Sequence, residues 1–318
     1  MFYKFLIFKI LALVSYIIVA TFLLDDRTQE LSKNNHLNTT TIISVYFPFS
    51  SKHSKDAYDQ WIKNFVNSVS SPLAIFTDES SKGYILKLRP DLKFHAIFYL
   101  YENVWDIIKE LENERNKNYK HKYMVEQYDK DPEKRIHNPN LYAVWNIKAF
   151  ITNKIAEENP FSSSFFIYTD IGAFRDQIIP DWPDQSFTEL LSLRLRDKIL
   201  FGQIQEFTYD PNDTMNLFIT RDIIEGGLFA GNKVAIKNFK SGFYKLHDEL
   251  LDQGIFVGKD QKLMNLYAFK NNKNEVVRIR TWNVNCYKSY DKWFFYQRYF
   301  ASDTYYQCYE NKFSLLID

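Results

Sequence analysis

The chain predicts an α/β protein, a Rossmann-like mixed sheet flanked by helices, and three observations lead there. Short apolar or aromatic runs alternate with longer amphipathic stretches, as strands alternate with crossover helices. Several of the runs end in an acid or a hydroxyl, at the strand ends where parallel sheets hold their ligands. Aromatic residues, mostly Phe and Tyr, make up 18% of the sequence, which favours sheet and large pockets over a coiled coil. A net charge of +1 gives no electrostatic footprint for nucleic acid.

Before the sheet comes a membrane signal. Phe5 to Leu24 is apolar except for Lys9, Ser15 and Thr21, long enough to cross a bilayer as a helix. Lys4 and Lys9 lie at its start and Asp25 and Asp26 follow it. The positive-inside rule then leaves residues 1–4 in the cytoplasm and sends the body across the membrane. A cleaved signal peptide is the rival, but the best site, after Ala20, has Ile18 where a small residue is wanted. The expected organisation is a cytoplasmic tail at 1–4, a signal-anchor helix at 5–24, a polar stem at 25–40 and a lumenal domain at 41–318. That describes a single-pass type II membrane protein of the Golgi or another secretory-pathway membrane. The acceptors at Asn38 and Asn212 fit a glycosylated lumenal body in a eukaryotic source. Cys286 and Cys308 are the two cysteines; they either close a small loop or stand as two buried thiols, and spacing alone does not choose.

The elements follow in order. Thr41 to Phe47 is a β-branched strand, and Asp56 to Val69 places Trp61, Ile62, Phe65 and Val66 on one helical face. Leu73 to Phe76 is a second strand, running into Thr77 and Asp78, and Lys93 to Leu100 a third. Trp105 to Asp131 is charge-rich and predicts a solvated helix. Pro139 opens a helix that runs to Glu158 and carries Lys148. Next, Phe165 to Tyr168 are four apolar or aromatic residues that run through Thr169 into Asp170-Ile171-Gly172, which is either an ordinary strand and turn or a carboxylate held at a sheet edge. Phe187 to Lys198 is helical and Ile199 to Ile204 extended. Gly226 and Gly227 lead a short strand, Asn232 to Asp252 is a helix interrupted by Gly242, Asp260 starts another helix, and Val276 to Trp282 is a late strand. The aromatic tail packs on the core or forms part of a pocket.

Polar groups thus recur at strand ends and helix starts: Thr77 and Asp78, Asp170 with Gly172, Gly226 and Gly227, and Asp260 with Gln261. Lys148 supplies a cation for a phosphate. A sheet-edge carboxylate suits Mn2+ or Mg2+ bound through a nucleotide diphosphate, and the glycine pair lets backbone N–H groups close on a sugar or phosphate. Asp260 is either a helix cap or a carboxylate positioned on substrate.

Taken together, the run ending in Lys148, the strand into Asp170, the Glu225 to Gly231 run and Asp260-Gln261 with Asn265 resemble the HtrL/YibB family of glycosyltransferase-like proteins, over residues 41 to 285. More distantly they resemble glycogenin-like enzymes of the GT-A fold. The resemblance implies a GT-A-type sheet and transfer of a sugar from a nucleotide-sugar donor to a hydroxyl of a glycan or glycoconjugate. It implies a diphosphate contact for Lys148, a metal for Asp170, and a contact of Asp260 with the transferred sugar. Gln261 then shares the catalytic position, and Thr77, Asp78, Gly172, Gly226 and Gly227 line the donor. One position departs from the pattern: GT-A enzymes usually show Asp-x-Asp, and here the third residue is Gly172, so a second metal ligand is missing. A non-catalytic carbohydrate-binding protein on the same fold is the alternative. A phosphotransferase of the haloacid-dehalogenase type wants a second acid where Gly172 stands.

Overall fold

The computed structural model describes residues 40–49, 53–208, 210, 221–271 and 273–318, which belong to one compact unit, Thr39–Asp318. The expected membrane helix at 5–24, residues 25–39 of the stem, and Asn38 and Asn212 lie outside the described residues. Among the described residues, no helix is long and apolar enough to cross a membrane.

The strands are β1 (Thr40–Tyr46), β2 (Leu73–Thr77), β3 (Ala96–Leu100), β4 (Phe165–Thr169), β5 (Ile199–Gln203), β6 (Ile224–Gly231), β7 (Val276–Arg280) and β8 (Leu316–Ile317). They form one sheet in the order β3-β2-β1-β4-β6-β5-β7-β8. Neighbours pair in parallel except where β6 meets β4 and β5, and where β8 meets β7. Every residue of β2, β4 and β5 is buried, because helices cover both faces.

Alternate side chains of each strand feed opposite cores, following the period of two. Ile43, Phe76, Phe166, Phe201 and Phe229 meet one helical layer: α3 (Val104–Arg115), α4 (Pro139–Glu158), α6 (Lys233–Asp252) and α7 (Asp260–Leu266). Ile42, Ile75, Ile167, Leu200 and Leu228 meet the other: α1 (Lys55–Ser68), α2 (Glu79–Leu88), α5 (Gln185–Leu195) and α8 (Phe295–Tyr299). The structure therefore has the mixed α/β sheet that the apolar runs predict.

Three local expectations change. The third strand begins at Ala96, because Pro90–Phe94 winds into a 3-10 turn. The charge-rich segment is not one solvated helix. It breaks at Asn116, whose φ of 54° ends α3, and then turns Tyr119, Tyr123 and Gln127 fully into the core. And α6 is not interrupted at Gly242; a Cβ there would lie 2.4 Å from Cε2 of Tyr267, so this glycine seats a buried ring inside an unbroken helix.

That segment docks through a buried polar network. Arg115 Nη2 donates to Asp248 Oδ2 at 2.7 Å, Tyr119 Oη to Asp248 Oδ1 at 2.8 Å, and His247 Nδ1 lies 3.0 Å from the same Oδ1. Burial raises the Asp248 pKa, but hydrogen bonds from His247, Arg115 and Tyr119 outweigh it and hold the carboxyl at about 2. A depressed carboxylate contributes stability above its unfolded pKa, and that contribution is lost as pH falls through the folded value. Asp248→Asn should therefore cost about 2 kcal/mol at neutral pH, with urea midpoints of variant and parent converging between pH 4 and about 2.

The cysteines are joined: Cys286–Cys308 is a disulfide across a separation of 22 residues. The aromatic tail lies inside that loop and on the core, with Phe295, Tyr296, Tyr299 and Phe300 buried.

Candidate functional site

The site is built where β4, β6, α4 and α7 meet. Asn138 caps α4, accepting from Leu141 N at 3.3 Å, and Pro139 sits in its first turn. The buried face of the helix includes Lys148 along with Ile147 and Ile151. Its ammonium donates to Gly226 O at 2.8 Å and lies 3.2 Å from Asp170 Oδ1 and 3.0 Å from Asp260 Oδ2. The Tyr168 ring lies 5.4 Å below it. Burial works against the charged amine, but the charges of Asp170 and Asp260 prevail and raise its pKa. Lys148 is a fixed cation shared by two carboxylates.

The two acids differ in access. Asp170 follows β4; its N–H donates to Gly227 O at 3.0 Å and extends the ladder by one residue. Its carboxylate accepts from Tyr168 Oη at 2.8 Å and is 39% exposed, against 4% for the Asp260 side chain. Asp260 is the first residue of α7 and not its cap, which is Lys259. Burial pushes the Asp260 pKa up, Lys148 pulls it back, and Asp170 adds to the rise. Its Oδ1 accepts from Gln261 N at 2.9 Å. The arrangement thus offers a buried cation, a buried acid and one acid facing out.

The glycine pair lies within β6, not ahead of it. A Cβ on Gly226 would fall 2.8 Å from Gln261 Cγ and 2.9 Å from Asp260 Oδ1. Its missing side chain lets α7 approach the strand. Gln261 Nε2 donates to Ile224 O at 3.1 Å, and Asn265 Oδ1 accepts from Ile224 N at 2.8 Å. Gln261 and Asn265 therefore hold the helix, and with it Asp260, against β6. On the other face, a Cβ on Gly227 would meet Glu225 Oε2 at 3.1 Å, Asp170 Oδ2 at 3.2 Å and Tyr296 Oη at 3.3 Å.

Glu225 is the acid that sequence reasoning missed. It is buried, its Oε2 accepts from Gly227 N at 2.8 Å, and its Oε1 has no hydrogen-bond partner. Burial pushes its pKa well above the usual carboxylate value, with the charges of Asp170 and Asp260 adding to the rise and the Gly227 N–H and Lys148 opposing it. The available signal was an acid embedded in an otherwise apolar and glycine strand. Tyr296 also went unassigned; its hydroxyl donates to Gly227 O at 3.2 Å.

The other predicted residues have different surroundings. Gly172 occupies a turn closed by Ala173 N to Asp170 O at 3.0 Å, and a Cβ there would press on Trp61 and Tyr58, each at 3.3 Å. Two aromatic side chains lie closest to this glycine. Thr77 is fully buried and donates to Tyr46 O at 2.7 Å. Asp78 caps α2, accepting from Ser81 N at 2.9 Å. Lys148, Asp170, Gly226, Gly227, Asp260 and Gln261 are brought together; Thr77 and Asp78 cap and close the end of β2, two strands across from β4.

Among the described residues, no three His, Cys, Asp or Glu side chains gather as a metal centre. Lys148 offsets one of the two negative charges of Asp170 and Asp260, and Glu225 is buried. The donor set does not form a closed cage, and only Asp170 presents oxygen to solvent. That fits a hard cation held by one carboxylate with phosphate and water completing its shell.

A lysine and two carboxylates meet at one strand end of an α/β sheet, the edge at which sheets of this class place their ligands. The chain belongs to the HtrL_YibB family, described as a bacterial protein of unknown function, whose profile matches residues 38–302. No curated protein matches the sequence. Among solved structures, mouse xyloside xylosyltransferase 1 in its apo form is similar at 10% identity and a TM-score of 0.46, over 74% of this chain and 83% of that one.

Proposed function

We propose that the protein is a glycosyltransferase of GT-A type that moves a sugar from a nucleotide-sugar donor to a hydroxyl of a glycan or glycoconjugate. The observation that carries this reading is Lys148 fixed between Asp170 and Asp260, with Asp170 alone turned outward. A fixed cation at a strand end suits a diphosphate leaving group, whose charge grows as the glycosidic bond breaks. Lys148 needs no reorganisation to meet that charge, because Gly226 O and the two acids already hold it. Asp260, oriented by the Gln261 N–H and by the docking of α7, is the acid for the transferred sugar. Glu225 fills the space beside Gly227, its Oε2 held by the Gly227 N–H. Manganese or magnesium would be held by Asp170 and would supply further neutralisation of the diphosphate. Gly172 is on the donor side of the same edge, while Thr77 and Asp78, taken up by Tyr46 O and by the cap of α2, shape that edge without touching the donor. On the same proposal, residues 5–24 anchor the chain and the body works on the far side of the membrane from the N-terminus.

The test uses the purified full-length chain and a panel of nucleotide sugars, with hydrolysis and transfer followed directly. Asp170→Asn and Asp260→Asn should each lower turnover by roughly 10²-fold or more while leaving the thermal midpoint within a few degrees. Full turnover in both would remove the assignment. A nucleoside diphosphate with Mn2+ should raise the midpoint of the parent protein, and more so than it raises that of Asp170→Asn.

A further inference from the structure

A cavity of about 650 Å³ opens beside the turn that follows Asp170, between residues 173–179 and the segment closed by the Cys286–Cys308 disulfide. It is large enough for a sugar. Lys148, Asp170, Asp260 and Glu225 are not among the residues that line it. Its charged lining is Arg175, Lys288 and Arg298 against Asp176 and Asp291.

Arg175 is the unusual member. Its guanidinium is sandwiched between two rings, 4.4 Å from the Trp61 centroid and 4.1 Å from that of Phe294. Its Nε is buried with no hydrogen-bond partner, and it makes no ion pair among the described residues. The backbone just before it is pinned: Asn64 Nδ2 donates to Phe174 O at 2.9 Å, and Gln297 Nε2 donates to Ala173 O. Gly172 contributes by leaving Trp61 the room to stack. Arg298, by contrast, gives its donors to Lys288 O and Ser289 O at 3.3 and 3.0 Å, and Asp291 accepts from Trp293 N at 2.9 Å. Such rigid stacking holds the planar fork of Arg175 in place with its polar donors uncommitted, an arrangement suited to a planar or tetrahedral oxyanion.

We propose that this cavity is the acceptor subsite and that Arg175 recognises an oxyanion on the acceptor, the carboxylate of a uronic acid or the phosphate of a sugar phosphate. The assignment to the acceptor rests on the transferase reading above. With the donor diphosphate at Lys148 and Asp170, an anion at Arg175 belongs to the second substrate. Tyr290 and Phe294 give the sugar ring an apolar wall beside that anchor.

The experiment is calorimetric titration of the full-length chain with glucuronate, glucose 6-phosphate and neutral glucose, in the absence of donor. One of the two anions should bind more tightly than glucose, and which one does identifies the oxyanion. Arg175→Gln should weaken that binding about 10- to 100-fold. Arg175→Lys keeps the charge without the fork and should fall between; it also carries the test if the glutamine variant folds poorly. Equal binding of glucose and the anions, no binding of either anion at millimolar concentration, or parent-like binding by Arg175→Lys would overturn the proposal. Displacement of the bound anion by a nucleoside diphosphate would overturn it too, since the cavity would then belong to the donor. Nucleotide-sugar hydrolysis, measured on the same samples, separates the two failures: hydrolysis that persists without anion binding removes the subsite and leaves the transferase reading intact.

Discussion

Lys148→Met should destabilise the protein by about 3 kcal/mol and lower any transfer activity by roughly 10²-fold or more. Methionine fills a similar volume, so the loss comes from charge and not from a cavity. Without the ammonium, Asp260 is a buried carboxylate with no cation beside it, and it must either stay ionised at high cost or take up a proton. The stability deficit should therefore shrink at acid pH, where Asp260 is protonated in the folded and unfolded states of both proteins. Adding Asp260→Asn to Lys148→Met should recover much of the stability, because the orphaned charge is gone, and none of the activity. That cycle, read by urea denaturation and by turnover, separates the structural role of the pair from its chemical one. Simple additivity of the two stability losses would mean that the ion pair does not exist in solution.

Gly226→Ala should be nearly as damaging to activity and act by a different route. The new methyl would meet Gln261 Cγ at 2.8 Å and Asp260 Oδ1 at 2.9 Å, closer than such atoms pack. Strand β6 is buried along its whole length and paired on both sides, so α7 is the element that gives way. A shift of about 1 Å in Asp260 relative to Lys148 is enough to cost roughly 10²-fold in rate, with about 1–3 kcal/mol lost to overpacking. The predicted signature is a fall in kcat that exceeds what the thermal midpoint would suggest. Gly83→Ala, at a helix position where a Cβ meets nothing within 4 Å, is the matched control and should be neutral or mildly stabilising.

Much of the sheet was legible because its strands are short, apolar and bounded by clear breaks. Phe165–Thr169 and Leu73–Thr77 need no tertiary information to be recognised. The site was half legible. Asp170 and Asp260 stand out as acids at element ends and Lys148 as a cation between apolar residues of a helix, and the structure places all three within one ion-pair cluster. Glu225 was hidden because an acid directly before a glycine pair reads as a turn until β6 is known to run through it. Arg175 was hidden for another reason: its partners, Trp61 and Phe294, come from α1 and from the segment before α8, and no local pattern links them. The charge-rich segment after α3 misled because its charges outnumber the tyrosines it buries, and periodicity weights both alike.

The way the sheet is threaded also sets the order in which a nascent chain can complete it. Ser44 of β1 donates to the carbonyl of Thr169 at 2.7 Å, across 125 positions, so the first strand synthesised waits for β4 before its second edge is covered. Lys148 leaves the ribosome before either acid that neutralises it, and Asp260 arrives only after β5 and β6. Tyr296, which bonds the Gly227 carbonyl, comes later still. A growing chain can therefore pair β1, β2 and β3 early, but the polar centre is assembled during the last stage of synthesis. Until then it offers an incomplete sheet edge and an unpaired lysine, the kind of intermediate that chaperones hold.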